Sequence, residues 1–168
     1  LDGQGFNMSQ RAKELIQQLG LQPHPEGGFY REIYRSEIGV QVFTPPQSRS
    51  AVTSIFFLLL GGQFSCLHLV DADEIWHYYE GDPLELTWGP LDGTAYHQQQ
   101  LGPVDQLRSP VIVVPANFWQ AARSLGDYTL VGCTVSPGFE FREFRMLHDD
   151  PQQAAEIQTR YPELANLI

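Results

Sequence analysis

The chain has 168 residues, 42% of them hydrophobic and 18% charged, which suits one ordinary domain with a real apolar core and excludes a disordered chain or a coiled coil. Ten basic residues against twenty acidic ones leave a formal charge of −10. A field of that sign repels phosphate backbones and anionic lipid headgroups, so neither a nucleic acid nor a membrane surface is an expected partner.

Residues 1–7 lack the basic and apolar regions of a secretory signal and precede Met8, so they read as a non-native extension left from cloning, with residues 8–168 forming a single domain. From Ser9, a suitable N-cap, Ala12, Leu15, Ile16 and Leu19 recur at helical spacing, and Gly20 sits where a glycine stop belongs. The block Pro23-His24-Pro25-Glu26-Gly27-Gly28 must be a turn. Strand-like segments follow at 29–36, 51–60, 64–70, 74–79, 84–88, 96–101, 111–114, 128–135 and 139–147, separated by Gly- and Pro-rich turns. Asp150 as N-cap, Pro151 in the first turn and Gln153 behind it open a closing helix with Ala154, Ile157 and Tyr161 on one face. Many short strands between terminal helices indicate an all-β sandwich or barrel. The longest apolar run, 55–60, falls far short of the roughly 20 residues that span a bilayer. Cys66 and Cys133, each in an apolar stretch, read as reduced buried thiols, and the expected address is cytoplasmic.

The stretch richest in chemistry is GQFSCLHLVDADEIWHYYEG at 62–81. Strand alternation places His68, Cys66 and Phe64 on one face together with Val70. Glu74, Trp76 and Tyr78 share a face on the next strand, while Ile75, His77 and Tyr79 point the other way. A glutamate and a histidine at one hairpin among large rings is the composition of a small-molecule pocket. Arg142 and Arg145 among Phe139, Phe141 and Phe144 read as a half-buried amphipathic strand rather than a nucleic-acid strip, given the net charge. Neither a phosphate-binding glycine loop, a G-x-S-x-G elbow nor a CxxC pair occurs, so Walker-type, serine acyl-transfer and thioredoxin-like chemistry lack support.

The spacing of Gly62, His68, Val70, Glu74 and Gly81 resembles the first cupin motif, with Val70 where a second histidine usually stands. The run from Pro115 through Ala116, Asn117, Phe118 and Trp119 to Gln120 is similar to the second, with Asn117 in place of a glycine and Gln120 in place of the metal-binding histidine. The blocks PHPEGGFYREIYRS, DEIWHYYEGDPLEL, VVPANFWQAA and VSPGFEF together resemble a small single-domain cupin family of unknown function with an HPEGGFYRE signature, in which the same departures recur. The resemblance runs from Leu15 to Leu147 and implies an all-β, cupin-type jelly-roll β-barrel with short N- and C-terminal helices. Of the four ligands usual in metal-binding cupins, His68 and Glu74 remain, Gln120 is a weak donor and Val70 cannot ligate. The expected cofactor is therefore none, or a weakly held divalent metal on His68, Glu74 and Gln120 with water completing its shell.

Three readings of function follow. In the first, a cofactor-independent isomerase or epimerase-like enzyme acts on a small polar or carbohydrate-like metabolite. His68 or Glu74 abstracts a proton, Tyr78 returns one, and Glu26, Arg31, Trp76, Trp119 and Gln120 contact the ligand. In the second, the same pocket serves a non-catalytic binding or sensor protein; in the third, a metal-dependent enzyme. Both of the first two expect His68, Glu74, Trp76, Tyr78 and Gln120 around one cavity, with Glu26 and Arg31 at its mouth. Apolar outer surface near Ile75 and His77, and the extended N-terminal region, lead to the expectation of a homodimer.

Overall fold

A computed structural model describes residues 8–43, 46–92 and 94–168; the expected non-native stretch, 1–7, lies outside the described residues. Helix α1 (Gln10–Leu19) begins where Ser9 Oγ accepts the Ala12 N–H at 3.3 Å and ends at Gly20 in the left-handed conformation. The strands in chain order are β1 (Gln22–Pro23), β2 (Phe29–Arg35), β3 (Gly39–Phe43), β4 (Pro46–Ser50), β5 (Thr53–Leu60), β6 (Phe64–Leu69) and β7 (Asp73–Gly81). They continue with β8 (Leu84–Gly89), β9 (His97–Leu101), β10 (Arg108–Ser109), β11 (Val111–Val114), β12 (Trp119–Ser124), β13 (Tyr128–Ser136) and β14 (Arg145–Met146). Helix α2 (Pro151–Arg160) follows, capped by Asp150, whose Oδ1 accepts the Gln153 N–H at 3.0 Å.

Two six-stranded sheets form, in the orders β1-β2-β5-β13-β7-β11 and β10-β9-β8-β12-β6-β14, and the β3–β4 hairpin stands apart. Their inner faces meet through Phe57, Leu59, Trp76, Leu84, Leu86, Ile112 and Val131. On the outside of the first sheet, α1 lays Ala12 and Leu15 against Leu58, Leu60 and Leu130. On the outside of the second, α2 lays Ile157 against Leu67, Leu69 and Trp119. This is an all-β jelly roll with short helices at its ends. Cys66 and Cys133 are both free thiols. Among the described residues no helix is long and apolar enough to cross a membrane. The outer face that carries Ile75 and His77 is bordered by exposed Tyr79, Val111 and Val113.

Three local departures from the expected pattern shape the interior. Strand β12 forms in a stretch not among the expected strands, and it bridges β6 and β8 through the middle of the second sheet. Residues 139–147 do not form a strand; they make a 3-10 turn at Phe141–Glu143, the short β14, and a second 3-10 turn at Leu147–Asp149. In β6 a bulge sets Cys66 and Leu67 opposite the single Ala121, with His68 paired to Gln120 and Ser65 to Ala122. The extra residue reverses the alternation. Ser65, rather than Cys66 or Phe64, therefore shares the inner face with His68, and Phe64 turns into an outer groove beside Tyr96 and Leu164.

The turn at 23–28 is driven inward by its glycine pair. Gly27 and Gly28 both have positive φ, 109° and 71°. A Cβ on Gly27 would collide with the Phe64 carbonyl, and one on Gly28 would lie 2.7 Å from the Leu58 carbonyl oxygen. That close approach lets the Cys66 N–H donate to the Glu26 carbonyl at 2.8 Å, which carries the Glu26 side chain into the barrel. Gly27→Ala should therefore destabilise the protein by about 2 kcal/mol or more, measured by denaturant unfolding; a change within experimental error would show that the turn is not held against β6.

Candidate functional site

A cavity of about 130 Å³ opens on the inner face of the first sheet. Its walls come from the 22–35 segment, from β5, β13 and the start of β7, and from the 139–144 turn. Glu26, His68 and Glu74 form its polar floor, and all three are buried.

Hydrogen-bond accounting fixes the protons. His68 Nδ1 lies 2.8 Å from the Cys66 carbonyl oxygen. A carbonyl can only accept, so Nδ1 carries the hydrogen and Nε2 presents a lone pair. That lone pair faces Glu26 Oε2 at 3.4 Å. The other oxygen of Glu26 accepts the Ser65 hydroxyl at 2.8 Å. His24 Nδ1 accepts the backbone N–H of Glu26 at 3.2 Å, and its ring meets Tyr30 edge-on at 4.5 Å. Glu74 Oε2 accepts from Gln120 Nε2 at 2.5 Å, and Gln120 Oε1 accepts the Trp76 indole N–H at 3.0 Å. An indole can only donate, so Trp76 sets which end of the Gln120 amide meets Glu74.

Burial sets the electrostatics. It pushes the Glu26 carboxyl up to about 8, against the opposing hydrogen bond from Ser65. It pushes Glu74 up to about 7, with His68 pulling down and Glu26 pushing further up. Burial lowers His68, opposed by Glu74, and lowers His24 to about 3 with help from His68. The Cys133 thiol in the cavity wall is pushed well above its usual range, again chiefly by burial. Near neutrality both imidazoles are uncharged and Glu26 holds its proton, so its hydroxyl faces the His68 lone pair. Such an arrangement can give or take a proton without first creating a buried charge.

The structure brings His68, Glu74 and Glu26 together on one cavity, with Glu26 on the floor rather than at the mouth. Trp76 and Gln120 stand behind Glu74, outside the lining, and act on the cavity through that carboxylate. Three other residues lie elsewhere. Tyr78 donates its hydroxyl to the Gly81 carbonyl at 2.6 Å, further along β7, so it cannot return a proton in this cavity. Arg31 is exposed and donates to the Leu19 carbonyl at 3.0 Å, closing the C-terminus of α1. Trp119 faces away from the barrel interior because it neighbours Gln120 on β12, and it packs with Ile157 and Tyr161. The residues that sequence reasoning passed over are His24, Ser65, Cys133 and the rings of Tyr30, Phe139, Phe141 and Phe144. Of these, His24 had a signal, since it sits inside the PHPEGG turn.

A metal at His68, Glu74 and Gln120 does not fit this arrangement. The Gln120 oxygen already accepts from Trp76, its nitrogen is turned to Glu74, and Val70 offers no donor atom. Among the described residues no three His, Cys, Asp or Glu side chains are grouped to hold a metal ion.

Residues 13–147 match the family model described as Cupin superfamily (DUF985). The chain is similar to a hypothetical protein from Leishmania major at 32% identity and a TM-score of 0.79, covering 94% of this chain and 96% of that one. It is also similar to a Shewanella oneidensis protein solved by X-ray crystallography, at 34% identity and a TM-score of 0.77 over 93% of each chain. Likeness of fold alone extends to oxalate decarboxylase of Bacillus subtilis, at 17% identity and a TM-score of 0.57, over 88% of this chain and 37% of that one. No curated protein matches the sequence.

The raised carboxyls give stability a definite pH dependence. Between the ordinary glutamate value of 4.5 and their folded values of about 8 and about 7, Glu26 and Glu74 keep protons that the unfolded chain has lost, so stability falls as pH rises. His24, lowered from 6.5 to about 3, has the opposite effect, since its neutral form favours the fold and that contribution is lost as pH falls below 6.5. Above that point only the carboxyl trend remains. The melting temperature should therefore fall between pH 6.5 and 8, and Glu26→Gln, which mimics the protonated acid, should flatten the fall; an unchanged slope in that variant would show that Glu26 ionises normally.

Proposed function

The chain belongs to the Cupin superfamily (DUF985), and from the geometry of its cavity we propose that it binds a small polar molecule there and moves a proton to or from it. The observation that carries this reading is the placement of Glu26 and Glu74 on one cavity together with the neutral His68, whose Nε2 lies 3.4 Å from Glu26 Oε2. General acid–base catalysis asks for two groups whose environments hold their protons differently near the working pH. Here Glu26 is the acid, with its hydroxyl on the His68 lone pair, and Glu74 is the base, kept in place by Gln120. The His68 ring, fixed by the Cys66 carbonyl, presents its Nε2 lone pair to the Glu26 hydroxyl and so holds the acid in position. The acid role expected of Tyr78 passes to Glu26. Rings and aliphatic side chains around this floor keep water from competing, as an isomerase-type proton transfer requires.

A binding or sensor protein is the second reading, and one observation favours it: the hydrogen bond from Gln120 occupies an oxygen of Glu74 that a base would use. The two readings separate in one experiment. Small polar metabolites that raise the melting temperature are incubated with the protein in deuterated water, and carbon-bound hydrogen exchange is followed by NMR. For the enzyme reading, wild type exchanges a hydrogen next to a carbonyl. Glu26→Gln and Glu74→Gln then lower that rate by about a hundredfold or more while the thermal shift persists. Stabilising compounds that undergo no exchange in wild type would leave the binding reading in its place.

A further inference from the structure

The charge around this cavity is one-sided. Glu26, Glu32 and Glu74 line it against a single guanidinium, Arg35. That guanidinium is already spent: it makes two hydrogen bonds to Glu32, at 3.0 and 2.8 Å, and a third to Glu140 at 3.1 Å. An entering anion meets no uncommitted cation among the described lining residues, because both imidazoles are neutral. On the floor, Glu26 is a buried residue whose Oε2 receives no hydrogen bond from a protein donor among the described residues; its neighbours are the His68 and His24 ring nitrogens at 3.4 and 3.5 Å.

Above the floor the wall is aromatic. Phe139, Phe141 and Phe144 meet edge-to-face, with centroids 5.0, 5.7 and 6.2 Å apart, and Tyr30 joins them across the His24 ring. The faces of such rings attract cations through their quadrupole, most strongly where water is excluded. Aromatic walls over acidic acceptors, with the only lining arginine neutralised, favour one sign of ligand charge.

Resting on the ligand-site reading above, we propose that the molecule bound in this cavity is a small organic ammonium compound, its nitrogen seated between the Phe139, Phe141 and Phe144 rings and the carboxyl groups of Glu26 and Glu74. The cationic head lies over the floor, and the remainder of the molecule leads out past Phe141, which is half exposed. The net negative mouth formed by Glu32, Arg35 and Glu140 draws such a ligand in.

The test titrates the whole chain with four probes: tetramethylammonium chloride, methylammonium chloride, the neutral isostere tert-butanol, and sodium acetate. Calorimetry in two buffers of different ionisation enthalpy reads both affinity and proton exchange. Tetramethylammonium should bind saturably and about tenfold or more tighter than tert-butanol. Acetate should not bind. A cation beside the floor favours the ionised carboxyls, so binding at neutral pH should release protons to the buffer. Phe141→Leu keeps an apolar surface residue but removes the ring, and should weaken tetramethylammonium by about threefold to tenfold with little effect on tert-butanol. Glu26→Gln should abolish most of the proton release. If tert-butanol binds as tightly as tetramethylammonium, or acetate binds better, the ammonium assignment is overturned while the cavity stands as a ligand site. If neither ammonium probe binds saturably, the assignment is likewise overturned, and the deuterium-exchange screen then decides the site reading separately.

Discussion

The rest of the structure is organised around the burial of Glu26, His68 and Glu74 within one barrel. An ionised carboxylate withdrawn from water without partners would cost several kcal/mol, more than a typical apolar contact returns. The fold meets that constraint in two ways. It gives each group at least one fixed hydrogen-bond partner, and it lets the carboxyls keep their protons to higher pH. Ser65 reaches Glu26 only because the β6 bulge turns it inward, and the Cys66 carbonyl meets His68 Nδ1 within the same distorted segment. A regular β6 would put Phe64 and Cys66 on the inner face and leave Glu26 without the Ser65 hydroxyl. The bulge is thus part of the site.

A second constraint holds the aromatic wall. Arg49, on the β3–β4 hairpin, is buried, with its guanidinium bonded to the Gly138 carbonyl at 2.9 and 2.6 Å and to the Pro137 carbonyl at 3.2 Å. Asp71 balances its charge at 2.7 Å. Three carbonyl contacts and one carboxylate from separate parts of the chain converge on one planar fork, an arrangement that a lysine could not reproduce. By anchoring residues 137–138, this cluster fixes where the following turn begins. Phe139, Phe141 and Phe144 all reach the cavity side because that segment is a turn; in a strand, Phe144 would face away from the other two.

Much of this was legible in the sequence. The caps of α1 and α2, most strands, and the cupin-like spacing of His68 and Glu74 are local signals, carried by residues whose backbone preferences agree with their place in the fold. What escaped was the reversal of parity. Alternation correctly put Glu74 and Trp76 on one face of β7, yet it failed in β6, where one extra residue swaps Ser65 for Cys66. It failed again at 139–147, where alternating apolar and charged residues imitate a strand. A bulge is specified by the partner strand, here β12, which lies outside the segments that alternation marks as strands. Arg31 and Trp119 sit within motif blocks, but one closes a helix and the other packs under α2. Membership in a signature block therefore did not distinguish a residue that builds the barrel from one that faces its contents.

The substitutions at the two metal-motif positions form one coherent change. Val70 contributes an apolar wall where a histidine would have offered a lone pair. Gln120, locked by Trp76, gives a hydrogen to Glu74 where a histidine would have offered a second lone pair. Both replacements withdraw electron-pair donors from the site, and Glu26, swung in by the glycine turn, adds an acid that holds a proton instead. A resident cation would oppose the burial that raises Glu26 and Glu74, since a nearby positive charge favours the ionised carboxylates. On the ammonium assignment proposed above, the positive charge arrives with the ligand. Entry of a cation and departure of a proton are then one coupled event, and the same carboxyls that make the barrel tolerable as an interior become, on binding, the counter-ions that recognise its guest.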